Sequence, residues 1–368
     1  MGKKILFSFE LEPGMTVYED VLDSSGRLIL SKGMVLDNDT IQKLDFFSIS
    51  EVPIGEPDAE IPKAPTKAVT PASVPVNLDY SDKVKASPEY KAFVSAYGVA
   101  LSSVQRNLDE LVHIGHPIDS ATLINNVFSL IKSCKTTIQI FDVMYNLEPT
   151  DEPTYHHSLN VAIISVVLGR WLGMKRADLN QLALAGILHD VGKVLIPVKL
   201  LNKTEKLTDE EFATIKSHVK KGYDIVKNQV LDMRIKDAVI YHHERCDGSG
   251  YPFRSTLENI PDFAKIIAIA DVYDAMTSSR SYRKGHCPFE VIQIFDSEGL
   301  HKYDPQYIMT FLENIVSSYL HNNVRLSDGR VGEIVMINSR CLYRPMVKIG
   351  NDFVDLYKER DLKIVQII

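Results

Sequence analysis

The chain has 368 residues, 45% of them apolar and 24% charged, a soluble-type balance in a length that suits two or three domains rather than one. Its net charge of −7 and pI near 5.9 exclude a broadly basic nucleic-acid-binding surface. A small anionic ligand stays compatible with that charge, because a bound metal brings its own local positive field.

In chain order, residues 1–54 read as a small, mostly β module. Val17 to Leu22, the turn Ser24-Ser25-Gly26, and Leu28 to Leu30 predict strand, turn, strand. Lys32-Gly33 is a second turn, and a short helix is expected from Asn38 to Leu44, capped by Asp37 or Asn38. The module carries no metal set or nucleotide loop, so a regulatory or interaction role is expected from position alone. Residues 55–87 read as a linker, because six prolines fall between Pro53 and Pro75 among Lys, Ala, Thr and Glu. Residues 88–148 show helical periodicity, as in Ile124, Val127, Leu130 and Ile131, and predict a connecting helical pair. Such amphipathic helices either pack within their own chain or pair two copies in a homodimer.

From 149 to 322 the pattern stays helical. His157, Val161, Ile164 and Leu168 share one stripe, and Leu182, Ala185 and His189 another. Ile215, His218 and Gly222 share a face, as do Ile267, Asp271 and Ala275. Residues 323–368 alternate and carry turn residues, with strands expected near Val331–Val335, Met346–Ile349 and Asp352–Leu356. The fold class is therefore mainly α, with a small β-rich N-terminal module and a small β C-terminal appendix. No apolar run approaches the ~20 residues of a membrane span, and Lys3-Lys4 is followed by no long apolar stretch. Cys134, Cys246, Cys287 and Cys341 form no CxxC pair. A cytoplasmic protein with reduced thiols and no membrane contact is the expectation.

Eleven histidines occur in the chain, and five of them stand with two aspartates on expected helix faces: His157, His189, Asp190, His218, His242, His243 and Asp271. Singly, a histidine on an apolar face is more often a hydrogen-bonded core residue. Jointly, five imidazoles and two carboxylates would make a poorly satisfied core unless metal coordination satisfied them together. Imidazole with carboxylate suits Fe or Mn, and zinc is not excluded by ligand type. Two divalent cations about 3.5–4 Å apart can activate water and clamp a phosphodiester. Lys193 follows Asp190 by three residues, and an ammonium there could neutralise a phosphate oxygen; its bland alternative is a solvated helix-end lysine. Gly248, Gly250 and Pro252 make 248–252 a turn-rich loop.

The runs HSLNVA at 157–162, HDVGKVLIP at 189–197, His218 in IKSH, HHERCDGSGYP at 242–252 and IADVYDAMTSSRSYR at 269–283 agree in order and spacing with one family. Over about 150–320 the chain resembles the HD-GYP branch of the HD phosphohydrolase superfamily. The resemblance implies a helical HD domain that hydrolyses cyclic di-GMP to pGpG and onward to GMP with two divalent metal ions, Fe or Mn. Carried over by motif, it implies one metal on His157, His189, Asp190 and Asp271, and a second on His218, His242 and His243, with Asp190 bridging. It implies Asp190 and Lys193 as catalytic residues. Lys193, Gly250, Tyr251, Arg280 and Arg283 would contact substrate, and the Gly250-Tyr251-Pro252 loop would also meet protein partners. Some members place a Glu four residues before the first histidine to hold a third metal. Here that position is Pro153, and Glu152, one residue off register, is the remaining third-metal candidate. Cys246 and Ser281 stand where the family often has Trp and Pro, neither a ligand. Competing readings are a hydrolase of another cyclic dinucleotide such as cyclic GMP-AMP and a non-catalytic scaffold that binds cyclic di-GMP. The scaffold reading is weakened because all seven ligand positions are filled.

Overall fold

The computed structural model describes residues 3–7, 11–22, 28–37, 40–41, 44, 49, 51–55, 80–148, 153–278 and 285–368. They form two compact units, Met1–Ser87 and Pro88–Ile368.

In the first unit, β1 (Lys4–Phe7) pairs antiparallel with β4 (Glu51–Ile54), Lys4 opposite Ile54. The short strands β2 (Val21–Leu22) and β3 (Leu28–Leu30) form a second ribbon. The strand expected from Val17 is shorter than its pattern: Val17 makes only an isolated bridge, to Ile54. Leu6, Val17, Leu30, Leu36, Leu44 and Val52 supply the buried core. The Asp37 carboxylate accepts from the Thr40 amide at 2.7 Å, the capping expected there, and Thr40, Ile41 and Leu44 are helical. The end of the expected linker is a helix, α1 (Tyr80–Ala86); its sequence YSDKVKA holds neither Pro nor Gly to oppose one.

The second unit begins with α2 (Pro88–His113), α3 (Ser120–Lys132) and α4 (Thr137–Tyr145), three helices where a pair was expected. The extra break follows from capping. Asp119 accepts from the Thr122 amide, and Thr136 accepts from the Gln139 amide, so each starts a new helix. Then come α5 (Pro153–Trp171), α6 (Arg176–Leu188), a 3-10 turn at Val191–Leu195, α7 (Val198–Leu201), α8 (Asp209–Lys216), α9 (His218–Val226), α10 (Met233–Tyr241), α11 (Asp262–Thr277), α12 (Pro288–Ile294) and α13 (Pro305–Ser318). Helix α5 is buried on every face from Ser158 to Gly169 rather than along one stripe, and α11 is nearly so. These two form the centre of the bundle, and helices of that kind lose the one-sided pattern of a surface helix.

The 88–148 helices belong to this core. Phe141 of α4 meets Trp171 of α5, Tyr273 of α11 and Phe311 of α13, with ring centroids 5.7–6.5 Å apart. The apolar faces of α2 to α4, including Phe93, Val104, Leu123 and Val127, are buried within the chain. At the C-terminal end, β5 (Asn323–Leu326), β6 (Val331–Met336), β7 (Met346–Ile349), β8 (Asp352–Asp355) and β9 (Ile364–Ile367) form an antiparallel sheet ordered β8-β7-β6-β5-β9. Among the described residues, no helix is long and apolar enough to cross a membrane.

Candidate metal centre

Five elements deliver the seven side chains to one point. His157 lies on α5 and Asp271 on α11; His189 caps the C-terminus of α6, with Asp190 next; His218 opens α9; His242 caps α10, with His243 next. Two glycines allow the approach. A Cβ on Gly186 would lie 2.5 Å from Ala162 Cα, so α5 and α6 touch backbone to backbone beside the site. A Cβ on Gly192 would collide with the His218 carbonyl and the Gly222 amide, so only glycine lets the Val191–Leu195 turn press against α9.

The side chains fall into two groups. In one, ligand atoms of Asp190, His218, His242 and His243 all lie within 4.8 Å of one another; in the other, those of His157, His189 and Asp271 do so. Asp190 faces both. Its Oδ1 is 3.1 Å from His218 Nε2 and 3.6 Å from His242 Nε2. Its Oδ2 is 3.3 Å from His189 Nε2 and 3.6 Å from His157 Nε2.

Backbone carbonyls set the histidine tautomers. His189 Nδ1 donates to the Gly186 carbonyl at 2.7 Å, His218 Nδ1 to Ile215 at 2.6 Å, and His242 Nδ1 to Val239 at 3.0 Å. Each bond leaves Nε2, with its lone pair, directed at the cluster, the outer-shell arrangement found around metal-bound histidines. His157 is oriented by a carboxylate instead: its Nδ1 donates to Asp274 Oδ2 at 2.7 Å while its Nε2 stands 2.9 Å from Asp271 Oδ1.

Charge follows from that packing. Burial opposes ionisation of Asp190, but the Lys193 ammonium, with Nζ 2.5 Å from Oδ2, and the neighbouring imidazoles hold the carboxyl well below the usual range. Asp271 is likewise held low against burial by its bond to His157. Burial would lower the pKa of His157, but Asp271 and Asp274 push it up to about 9. Burial brings His242 down to about 4 and drives His243 well below its ordinary value, so both are neutral near pH 7.

The cluster fits a divalent metal pair on its own chemistry. His189 Nε2 and both Asp190 oxygens are buried without a hydrogen bond of acceptable geometry, with Lys193, His218 and His189 standing 2.5–3.3 Å from the Asp190 oxygens. Buried lone pairs of this kind carry a large desolvation cost unless something electropositive accepts them. Nitrogen and carboxylate donors in this mixture suit catalytic divalent ions.

The remaining expected site residues divide. Lys193 is positioned by the 3-10 turn, its amide bonded to the Asp190 carbonyl at 2.8 Å, not by continuation of α6. The Tyr251 ring stacks on His243 with centroids 4.8 Å apart, which places it at the edge of the centre. Gly250 is buried where a Cβ would lie 2.4–2.5 Å from backbone atoms of residues 243–245, so the loop folds onto the backbone that follows His242. Glu152, Arg280 and Arg283 lie outside the described residues.

Three contributors had no role in the sequence reading. Asp274, one helical turn after Asp271, orients His157; its spacing of three on α11 is the signal that could have found it. Asn160 donates to Asp274 Oδ1 at 2.8 Å. Glu244, almost fully buried, accepts from the Phe253 and Ser255 amides at 2.5 and 2.9 Å and ties down the loop after Tyr251.

Residues 144–307 match the HD domain family. The chain is 35% identical over 241 residues to cyclic di-GMP phosphodiesterase PA4108 of Pseudomonas aeruginosa, a match covering 64% of this chain and 57% of that protein. It is 32% identical over 202 residues to cyclic di-GMP phosphodiesterase PdeB of Borreliella burgdorferi, covering 53% and 52%. It is also 32% identical over 180 residues to 3'3'-cGAMP-specific phosphodiesterase 2 of Vibrio cholerae, covering 47% and 34%. The chain thus spans 57% or less of the length of these relatives. A solved structure of Bd1817, a HDG"Y"P protein from Bdellovibrio bacteriovorus, shares the fold at a TM-score of 0.52 and 15% identity, covering 85% of this chain and 99% of that one. The matched span contains every one of the converging side chains, so the similarity to the HD domain family covers the whole candidate centre.

Proposed function

We propose that the chain is a metal-dependent phosphodiesterase that hydrolyses cyclic di-GMP. The observation that carries this reading is the pair of ligand groups joined by one buried carboxylate, Asp190. His157, His189, Asp190 and Asp271 would hold one ion, and His218, His242, His243 and Asp190 the second. Fe or Mn suits that donor set. When bound, such a pair supplies Lewis-acid charge and an activated water for in-line attack on a phosphodiester.

The chain's own residues do the rest. Asp190, kept ionised, offers one oxygen to each group. Lys193 keeps its ammonium at Asp190 Oδ2 while remaining partly exposed, so it can neutralise a phosphate oxygen as charge builds there. Tyr251 and Gly250 wall the side next to His243, and Arg280 and Arg283 are the guanidinium donors suited to the second phosphate. Each cleavage consumes one water and opens one phosphodiester. The first yields linear pGpG, and a second cleavage of the same bond type yields GMP. Phe253, 55% exposed beside Tyr251, makes the loop a candidate contact for protein partners. The reading places the protein in the cytoplasm, where its four free cysteines stay reduced.

A second substrate, cyclic GMP-AMP, is favoured by the similarity to the Vibrio cholerae relative of that specificity. Protein purified without oxygen and loaded with Fe(II) or Mn(II) would be offered both dinucleotides in competition, with products resolved chromatographically. Preferential loss of cyclic di-GMP with appearance of pGpG is expected. Preferential loss of cyclic GMP-AMP would reassign the substrate, and loss of neither would sink the phosphodiesterase reading.

A further inference from the structure

Helix α2 lies wholly before the matched span of residues 144–307, yet one of its side chains connects to the metal centre. The Tyr97 hydroxyl donates to Asn160 Oδ1 at 2.7 Å. Asn160 Nδ2 donates to Asp274 Oδ1 at 2.8 Å, and Ser278 Oγ donates to the same oxygen at 2.7 Å. Asp274 Oδ2 accepts from His157 Nδ1 at 2.7 Å. Tyr97, Asn160 and Asp274 are each at most 4% exposed, so no solvent competes for these bonds.

We propose that Tyr97 is a positioning residue for the metal centre, acting through Asn160 and Asp274 on the orientation of His157. The proposal rests on the two-metal reading given above.

The chemistry has a direction. Asn160 presents two different faces, a carbonyl oxygen and an amide. Its side chain must place the amide toward Asp274 if the carboxylate is to be satisfied. Asp274, which can only accept, selects that rotamer, and the Tyr97 hydroxyl, 2.7 Å from Oδ1, holds the side chain in it. Burial, with the nearby Asp274 charge, drives the Tyr97 pKa well above its ordinary value, so the hydroxyl keeps its proton. The ring is fixed independently, stacked on Phe93 with centroids 5.6 Å apart and tilted against His156 at 5.2 Å. His156 Nδ1 and the His156 carbonyl stand at 3.3 Å from the same hydroxyl, weaker contacts than the bond to Asn160. Asp274 in turn fixes which way the His157 Nε2 lone pair points. An outer-shell carboxylate of this kind is usually worth 10–100-fold in metal affinity. The Tyr97 hydroxyl, two bonds further out, belongs at the low end of that range.

Only the group containing His157 is touched. His189, His218 and His242 take their orientation from backbone carbonyls, which Tyr97 does not meet. Site selectivity therefore separates positioning from general loss of structure.

The test is calorimetric titration of metal-stripped full-length protein with Mn(II), for wild type, Tyr97→Phe, His157→Ala and His218→Ala. Wild type is expected to bind two ions. His157→Ala and His218→Ala each lose one, which assigns the two sites. Tyr97→Phe keeps its stacked ring and is expected to weaken the His157 site by about tenfold, leaving the second affinity unchanged. Wild-type affinity at both sites, or equal weakening of both together with a lowered midpoint, overturns the proposal. A wild type that binds fewer than two ions, or a His157→Ala variant that keeps both, overturns the metal assignment itself and the relay with it.

Discussion

Asp190 and His157 show how single residues tune the centre. Asp190 is buried and ionised together, a state that Lys193 and the imidazoles of His189 and His218 sustain. Replacing His189 and Asp190 together with alanine removes the bridge and one ligand, and is expected to abolish both metal binding and turnover; retained activity would show the assignment to be wrong. His157 behaves oppositely to its neighbours. Between Asp271 and Asp274 its pKa rises to about 9, so at pH 7.5 the metal-free ring is protonated. A metal ion requires the Nε2 lone pair, so loading must displace that proton. Metal affinity is then expected to rise as pH increases toward about 9 and to fall as pH drops below it. Calorimetric titrations at pH 7.5 in buffers of different ionisation enthalpy would register proton release from His157. Heats that do not depend on the buffer would contradict the placement of His157 between two carboxylates.

Elements carry the next level of control, through close approach. The turn at Val191–Leu195 meets α9 without room for a Cβ on Gly192, and that contact sets the distance from Asp190 to His218. Gly192→Ala must push the two apart, at a cost of about 1–3 kcal/mol for overpacking. It is expected to lower the thermal midpoint and to reduce metal content; a variant with full metal content would show that the contact yields without moving His218. The loop after His243 depends on Glu244, which satisfies two backbone amides at once. Glu244→Gln keeps one acceptor oxygen and loses the charge, so about 1.5–3 kcal/mol of local stability is expected to go. Hydrogen exchange at Phe253 and Ser255 should accelerate while metal content holds. Unchanged exchange at those amides would remove Glu244 from this role. The seven converging side chains were legible in the sequence because their chemistry is rare and their order resembles a family's. Asp274 was legible in principle, being one helical turn from Asp271. Tyr97 and Asn160 were not, because 63 residues separate partners that only the packing of α2 against α5 brings together.

At the scale of the whole molecule, the chain divides at Ser87 into two compact units, and the second holds every described metal-site residue. The helical connection expected over 88–148 shares its core with the helices that carry the candidate metal centre, through Phe141 among Trp171, Tyr273 and Phe311. Periodicity marked those segments as helices, but a one-dimensional pattern cannot say which buried face meets which. The same holds for α5 and α11, whose all-round burial erased the stripe that marks a surface helix. A fragment spanning 88–368 is therefore expected to fold, bind two metal ions and turn over substrate, whereas one starting at 149 would lack Phe141, expose Trp171, Tyr273 and Phe311, and aggregate. Deleting residues 1–75 tests the proposed regulatory role of the first module: unchanged activity and unchanged oligomeric state would remove it. In the proposed reaction, phosphodiester hydrolysis would need both ligand groups around Asp190 to be filled. The most direct measurement of this requirement is hydrolysis of cyclic di-GMP as Mn(II) is added stepwise to metal-free protein. Activity that emerges only as the second equivalent binds is the expected result; full activity at one equivalent, or none at any loading, would contradict it.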